Sequence, residues 1–255
     1  MNKKLTPKKK QIVEKELGIP ADYQYKALRT SNFLQANWHS NKLVALEHVL
    51  NFNKKLRVLD VGSGSGNFEL IFGKRFKSID ALDYHKEALS FLKSKADELK
   101  LKNIRYIHTD IQSMPTSKKI GTYDLILMVD VIEHIKMKEA KEMIAFYKKI
   151  LAPNGKICII TPNYHSLWIY IEGILDKFTI VPHFAGHQHL AQYYPENLQK
   201  IFKANGFRTV RTASFNTFSF LMPFRLLSTL FTKLEITSNI KFGNLLMGVF
   251  EHEKK

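Results

Sequence analysis
The sequence predicts an α/β fold, a parallel β-sheet covered on both faces by helices. Three observations carry that prediction. Short apolar runs alternate with segments of helical period through the centre of the chain. A glycine-rich turn follows the first run and opens a helix. Acidic residues end the first three runs, at the sheet edge where parallel strands bind their ligands.

Taken in order, "LRVLDVG" reads as a buried strand and "NFELIFGKRF" as the helix after the glycines. "SIDALDY" is the second strand, followed by the helix "HKEALSFLKSKADELKL", whose Ala88, Leu92, Ala96 and Leu99 share a face. "IRYIHTD" and "YDLILMVDV" are the third and fourth strands. "KEAKEMIAFYKKILAPNGK" is a helix stopped by Pro153 and Gly155, and "KICIITPN" is the fifth strand. The rhythm breaks after Pro162. An apolar stretch without strand pattern, "YHSLWIYIEGILDKFTIVPHFAGHQHL", leads into the helix "YPENLQKIFKANGF", which ends at Gly206. "RTVRTAS" and "NLLMGVFEH" are the last two strands, and the segment from Phe215 to Gly243 between them is too long for a hairpin loop. The expected organisation is a helical cap over residues 1–40 and a ligand-binding domain over 41–255, with inserts near 163–190 and 215–243.

Composition bounds the function. The 255 residues suffice for one sizeable domain. No uncharged apolar run reaches the roughly 18 residues of a spanning helix. The lysine-rich start, "MNKKLTPKKKQIVEKELG", lacks the apolar segment of a secretory signal. The expected location is therefore the cytoplasm, extended by peripheral contact at the inner membrane face. Cys158, the single cysteine, can form no intrachain disulfide and reads as a small core residue. The formal net charge is +16, yet Lys supplies 32 of the 39 basic residues, scattered in pairs such as Lys118–Lys119 and Lys148–Lys149. Nucleic-acid readers lean on Arg. Solvated surface lysine is the first reading of this charge, an anionic membrane or lipid-phosphate surface the second, and nucleic acid the third.

The glycines decide more. "RVLDVGSGSGNFEL" places Gly62, Gly64 and Gly66 between the first strand and its helix, where a ligand can approach the backbone. A nicotinamide cofactor would require glycine at 67, which is Asn67. Asp60 ends the first strand and would face a cationic group. Asp83 ends the second, where a carboxylate accepts both ribose hydroxyls, and Asp110 ends the third, where it accepts from an exocyclic amine. So much negative charge would repel a pyrophosphate. It suits a ligand that combines an ammonium, a sulfonium, a ribose and an adenine.

At these residues the chain resembles the class I S-adenosylmethionine-dependent methyltransferases. "VLDVGSGSG" is similar to their first motif, "ALDYHKEAL" to the acidic second strand, and "HTDIQSMP" to the adenine-side loop. "YDLILMVDVIEHI" resembles their fourth strand and "LAPNGKICIITPN" the turn and fifth strand, so the likeness covers roughly residues 35–210. The resemblance implies a Rossmann-like, doubly wound seven-stranded sheet, mostly parallel with an antiparallel last strand, and S-adenosyl-L-methionine as cofactor. It assigns cofactor binding to Asp60, Gly62, Ser63, Gly64, Gly66, Asp83, Tyr84, Asp110, Ile111, Val129 and Asp130. The helix in "RTSNFLQANWHSNKL" is expected to close over the cofactor, with Arg29 meeting its carboxylate and Trp38 or His39 lining the pocket.

Methyl transfer to a hydroxyl needs a base. The candidates are His134, in "EH" after the fourth strand, and His187, in "PHFAGHQHL", where related enzymes often present a histidine to the acceptor. No metal is expected, because no carboxylate stands at ligand spacing with His183, His187 and His189. The insert residues Phe224, Leu227, Leu230, Phe231 and Leu234 share one helical face. That face is expected to be buried, as a lid over an apolar pocket, with insertion into a lipid surface as the alternative. The acceptor expected is a small molecule, apolar or linked to lipid or glycan, methylated on oxygen or carbon. An RNA methyltransferase and a non-catalytic cofactor-binding subunit are the rival functions.

Overall fold
The computed structural model describes residues 20–110, 121–166, 189–238 and 240–253. Seven strands form one sheet, in the order β3-β2-β1-β4-β5-β7-β6. They are β1 (Arg57–Val61), β2 (Ser78–Asp83), β3 (Ile104–His108), β4 (Tyr123–Val129), β5 (Leu151–Pro162), β6 (Phe207–Phe215) and β7 (Leu245–His252). The first five pair in parallel, and β7 lies antiparallel between β5 and β6. This is the doubly wound sheet expected, with the antiparallel last strand. The order reverses between β1 and β4, which places a crevice at the carboxyl ends of β1, β2 and β4.

The central strands are apolar on both faces because helices cover both. In β4, Ile126 and Met128 join one core cluster while Leu125 and Leu127 join the other. Ile157 and Ile159 alternate with Cys158 and Ile160 in the same way. Cys158 is fully buried, as expected, and burial pushes its thiol far above the ordinary range. The helices are α1 (Tyr23–Ala27), α2 (Phe33–Val49), α3 (Asn67–Phe72), α4 (Lys86–Glu98), α5 (Met137–Ile150), α6 (Pro195–Ala204) and α7 (Arg225–Thr237). Tyr147 of α5 and Phe202 of α6 fill the first cluster, and Phe250 stacks on Phe202 at 3.8 Å between ring centroids. Leu46 of α2, Phe68 and Phe72 of α3 and Ile236 of α7 fill the second.

Two boundaries differ from the sequence reading. Helix α5 stops at Ile150, and "LAPNG" already belongs to β5, where Leu151 pairs with Tyr123 across a register shift. Helix α2 runs unbroken across residue 40, the expected edge of the N-terminal cap.

The larger difference concerns α7. It turns Ser228, Thr232, Glu235 and Ile236 inward, and leaves Phe224, Leu227, Leu230, Phe231 and Leu234 exposed. The face expected to be buried as a lid therefore points outward. The cause is a polar network between α7, α2 and the 3-10 turn Ser219–Leu221. The Glu235 carboxylate accepts the backbone N–H groups of Asn216 (2.6 Å), Thr217 (3.3 Å), Phe218 (2.7 Å) and Ser219 (3.0 Å), and the Ser219 hydroxyl (2.9 Å). Ser228 donates to Asn41 Oδ1 at 2.9 Å, and Asn41 donates in turn to Asn216 Oδ1 at 2.7 Å. Buried polar groups must be satisfied, so the polar stripe fixes the helix's orientation.

Candidate active site
The glycine loop is built by close approach. Beyond β1, the N–H groups of Gly62 and Ser63 donate to the Leu82 carbonyl at 2.7 and 3.1 Å, which folds the chain over the tip of β2. Gly62 and Gly66 have φ of +78° and +80°. A Cβ on Gly62 would sit 2.4 Å from Val131 Cγ2, and one on Gly66 would sit 2.0 Å from Leu92 Cδ1. Glycine is required here by both conformation and space. Gly66 then opens α3, whose N-terminus faces the loop.

Around the loop stand buried acids. Asp83 Oδ2 accepts from Gly64 N–H at 2.7 Å, and Oδ1 accepts from His85 N–H at 2.8 Å. One carboxylate thus braces the loop and the end of β2, with lone pairs left on both oxygens. Burial raises its pKa, opposed by those two N–H groups. Burial likewise pushes Asp60 up to about 7. Glu69, on α3, is fully buried beside Asp60; burial and the Asp60 charge hold its pKa well above the usual carboxylate range. Ser63 Oγ has no hydrogen-bond partner among the described residues, and the Glu69 carboxyl lies against that of Asp60. Tyr84 accepts at its carbonyl from the His108 ring at 2.9 Å, and Asp110 follows β3 at half-buried depth.

The N-terminal segment covers this crevice. Gln24 Oε1 accepts from Ser65 N–H at 3.2 Å, Asn67 donates to the Gln24 carbonyl at 2.8 Å, and Tyr25 N–H donates to Ser65 Oγ at 2.8 Å. Arg29 lies 3.6 Å over the Tyr25 ring and donates to Asn67 Oδ1 at 3.3 Å, which puts a guanidinium at the mouth of the loop. From α2, the buried Lys42 ammonium pairs with Asp130, a residue at φ +54° just beyond β4. His39 lies half-buried beside that pair, and desolvation followed by the Lys42 charge drives its pKa down to about 3. His39 therefore stays neutral. Trp38 packs edge-on against Phe220 at 5.7 Å, as part of the α2 contact with the second insert.

Beside Asp130 lies a second polar group. His134, in the 3-10 turn Ile132–His134, and His189 face each other with ring centroids 5.1 Å apart. His189 Nδ1 is hydrogen-bonded to the Tyr164 hydroxyl. The buried Glu133 carboxylate accepts from Thr161 Oγ1 at 2.9 Å, and its backbone carbonyl accepts the N–H groups of Leu190 and Ala191 at 2.7 and 3.1 Å. Glu133, His134 and His189 each place a ligand atom within 4.8 Å of the others. The sequence shows no carboxylate at ligand spacing with the histidines; folding supplies one. Burial, followed by the Asp130 charge, pushes Glu133 up to about 7.

A profile of the methyltransferase-domain family matches residues 32–212. The chain belongs to the class I S-adenosylmethionine-dependent methyltransferases. Among relatives, it is 28% identical over 180 residues to a ubiquinone biosynthesis O-methyltransferase of Vibrio parahaemolyticus, covering 70% of this chain and 72% of that protein. It is 35% identical over 81 residues to an (S)-tetrahydroprotoberberine N-methyltransferase of Eschscholzia californica, which is 31% of this chain. The chain spans only 22% of the length of that plant enzyme and 32% of a second one from Papaver bracteatum. Its fold is similar to magnesium protoporphyrin IX methyltransferase of Synechocystis with bound S-adenosylhomocysteine. That likeness has a TM-score of 0.64 and 17% identity, over 94% of this chain and 98% of the other. The N-methyltransferase NodS of Bradyrhizobium japonicum gives 0.58 and 14%, over 96% and 98%.

The methyltransferase brings most of the expected site together. Asp60, Gly62, Ser63, Gly64, Gly66, Asp83, Tyr84, Val129 and Asp130 lie at one end of the sheet. Ile111 and His187 lie outside the described residues, as does His183. The residues present fit an adenosyl sulfonium ligand on their own chemistry. Asp60, Glu69 and Asp83 are buried around the loop, the glycines stand where a Cβ would clash, and Ser63 Oγ has no hydrogen-bond partner among the described residues. The Asp130 carboxylate is held by Lys42, and the role expected at Val129 and Asp130 belongs to their backbone. Sequence reasoning missed Gln24, Lys42 and Glu69. Only Glu69 carried a signal, an acid three residues after Gly66 in the first turn of α3.

Proposed function
We propose that this methyltransferase transfers the methyl group of S-adenosylmethionine to a hydroxyl of a small, apolar or lipid-linked acceptor. The observation that carries this reading is the Glu133–His134–His189–Tyr164 group, which sits directly after β4 beside Asp130. S-adenosylmethionine supplies an activated methyl on sulfur. The glycine loop and Asp83 would hold its adenosyl part, and Asp60 with Glu69 would face its cationic part. Burial raises the pKa of both Asp60 and Glu69, and a bound cation would lower both again, favouring their carboxylate forms.

For a hydroxyl acceptor the remaining task is the proton. An imidazole of the His134–His189 pair takes it, and the adjacent Glu133 carboxylate stabilises the imidazolium that results. Tyr164 fixes the His189 ring through Nδ1. Glu133 also pins Leu190 and Ala191 through its backbone carbonyl, which holds His189 in place. The named activity of the Vibrio relative, an O-methyltransferase in ubiquinone biosynthesis, supports an oxygen acceptor on a lipid-like molecule.

The test is incubation with deuteromethyl-labelled S-adenosylmethionine and a metabolite and lipid extract, read by mass spectrometry. A labelled, lipid-soluble product bearing a methoxy group is expected. His189→Ala and His134→Ala should lower its formation by roughly 100-fold with donor affinity unchanged. Label in RNA, or on an amine, overturns the acceptor assignment. Near-normal turnover in both variants removes the histidines from the chemistry.

A further inference from the structure
The outward face of α7 is unusual for a surface helix. Leu226 is 80% exposed and Phe224 67%, and Phe218, Leu221, Leu230 and Leu234 join them in one patch. Contiguous apolar patches of this kind on a soluble surface mark an interaction site. The orientation is enforced: turning α7 over would strand Glu235 from its four backbone donors and Ser228 from Asn41. The molecule presents its apolar face by construction.

The charge around the patch selects the partner. Between Phe215 and Gly243 the cations are Arg225, Lys233 and Lys241, all exposed. The one acid in that stretch, Glu235, is buried and occupied by the 3-10 turn. On α2, against which α7 packs, the exposed Glu47 is paired with Arg75. Arg211 donates to the Ile236 carbonyl at 3.0 Å, and desolvation followed by the Lys233 and Arg211 charges lowers the pKa of His48, which places both cations beside it. An apolar stripe flanked by cations on a short helix is the arrangement that lies in a lipid–water interface, with basic residues meeting anionic headgroups.

We infer that α7 and the preceding 3-10 turn form a foot that docks the enzyme on an anionic lipid bilayer. This inference is independent of the acceptor assigned above. The foot packs on α2, and α2 carries Lys42 to Asp130 at the site, so the docked face adjoins the cover of the crevice.

The experiment is flotation of the full chain with vesicles of phosphatidylcholine alone or mixed with phosphatidylglycerol, at low and high salt. Binding to the mixed vesicles is expected, falling steeply with salt as the screening length shortens from about 10 Å at 0.1 M to about 3 Å at 1 M. Phe224→Ser with Leu230→Ser should abolish it, and Lys233→Ala should weaken it by roughly fivefold. These side chains are exposed, so unchanged circular dichroism and urea midpoints should accompany the loss. No flotation with either vesicle overturns the inference. So does a stable dimer in solution that Phe224→Ser dissociates, because a second copy would then cover the face.

Discussion

Asp83→Ala separates the two roles that the structure gives one carboxylate. Its oxygens accept Gly64 N–H at 2.7 Å and His85 N–H at 2.8 Å, in a buried setting. Leaving a buried donor unsatisfied costs about 1–3 kcal/mol, so the ligand-free variant should lose roughly 2–5 kcal/mol of folding stability. If the same oxygens also accept the ribose hydroxyls, donor affinity falls further. Loss of a charge-assisted bidentate contact is worth about 2–3 kcal/mol, or roughly 30–150-fold. Asp83→Asn keeps one acceptor oxygen and should fall between the two in both respects. Urea unfolding gives the first quantity. Calorimetric titration with S-adenosylhomocysteine, which cannot turn over, gives the second. A variant that is destabilised yet binds the ligand as tightly as the parent would confine Asp83 to bracing the loop. Preferential binding of NAD by the parent protein would refute the reading of the crevice altogether.

Gly66→Ala should lower stability by at least about 1–2 kcal/mol, the cost of a left-handed L-residue, before Leu92 is displaced from 2.0 Å; an unchanged melting temperature would contradict the packing described. Glu133 gives a pH signature. Its pKa rises from 4.5 to about 7 on burial, so the folded chain holds that proton more tightly than the unfolded one. The stability it contributes is complete below about pH 4.5 and is lost as pH rises through about 7. Urea midpoints followed from about pH 5 to pH 8 should decline less steeply in Glu133→Gln, with part of the slope surviving because Asp60 and Glu69 shift in the same direction. Glu235→Gln sets an amide NH2 against backbone donors and should cost roughly 2–5 kcal/mol; a loss below about 1 kcal/mol would show that the network does not hold α7.

The sheet was legible in the sequence because its signals are local. A strand buried on both faces reads as an apolar run, and Gly62, Gly64 and Gly66 stand where the backbone must turn at positive φ. Asp83 was legible for the same reason, since strand-end position follows from strand assignment. Lys42 was not. Its partner Asp130 lies 88 residues away, and only the packing of α2 over the sheet edge brings them together. Glu133 shows the same limit, for its neighbour His134 is adjacent in sequence while His189 arrives from a distant segment. Periodicity misled at α7 for a different reason. A repeat of apolar residues states which side chains share a face, and the assumption that this face is inward belongs to the hydrophobic effect rather than to the pattern. The sequence carries a competing stripe at the same period, Ser228, Thr232 and Glu235, each with a buried partner. A buried carboxylate that satisfies four backbone donors outweighs the exposure of several leucines if those leucines have a second apolar phase to enter. That condition is what vesicle flotation measures, and it links the direction α7 faces to where the enzyme works.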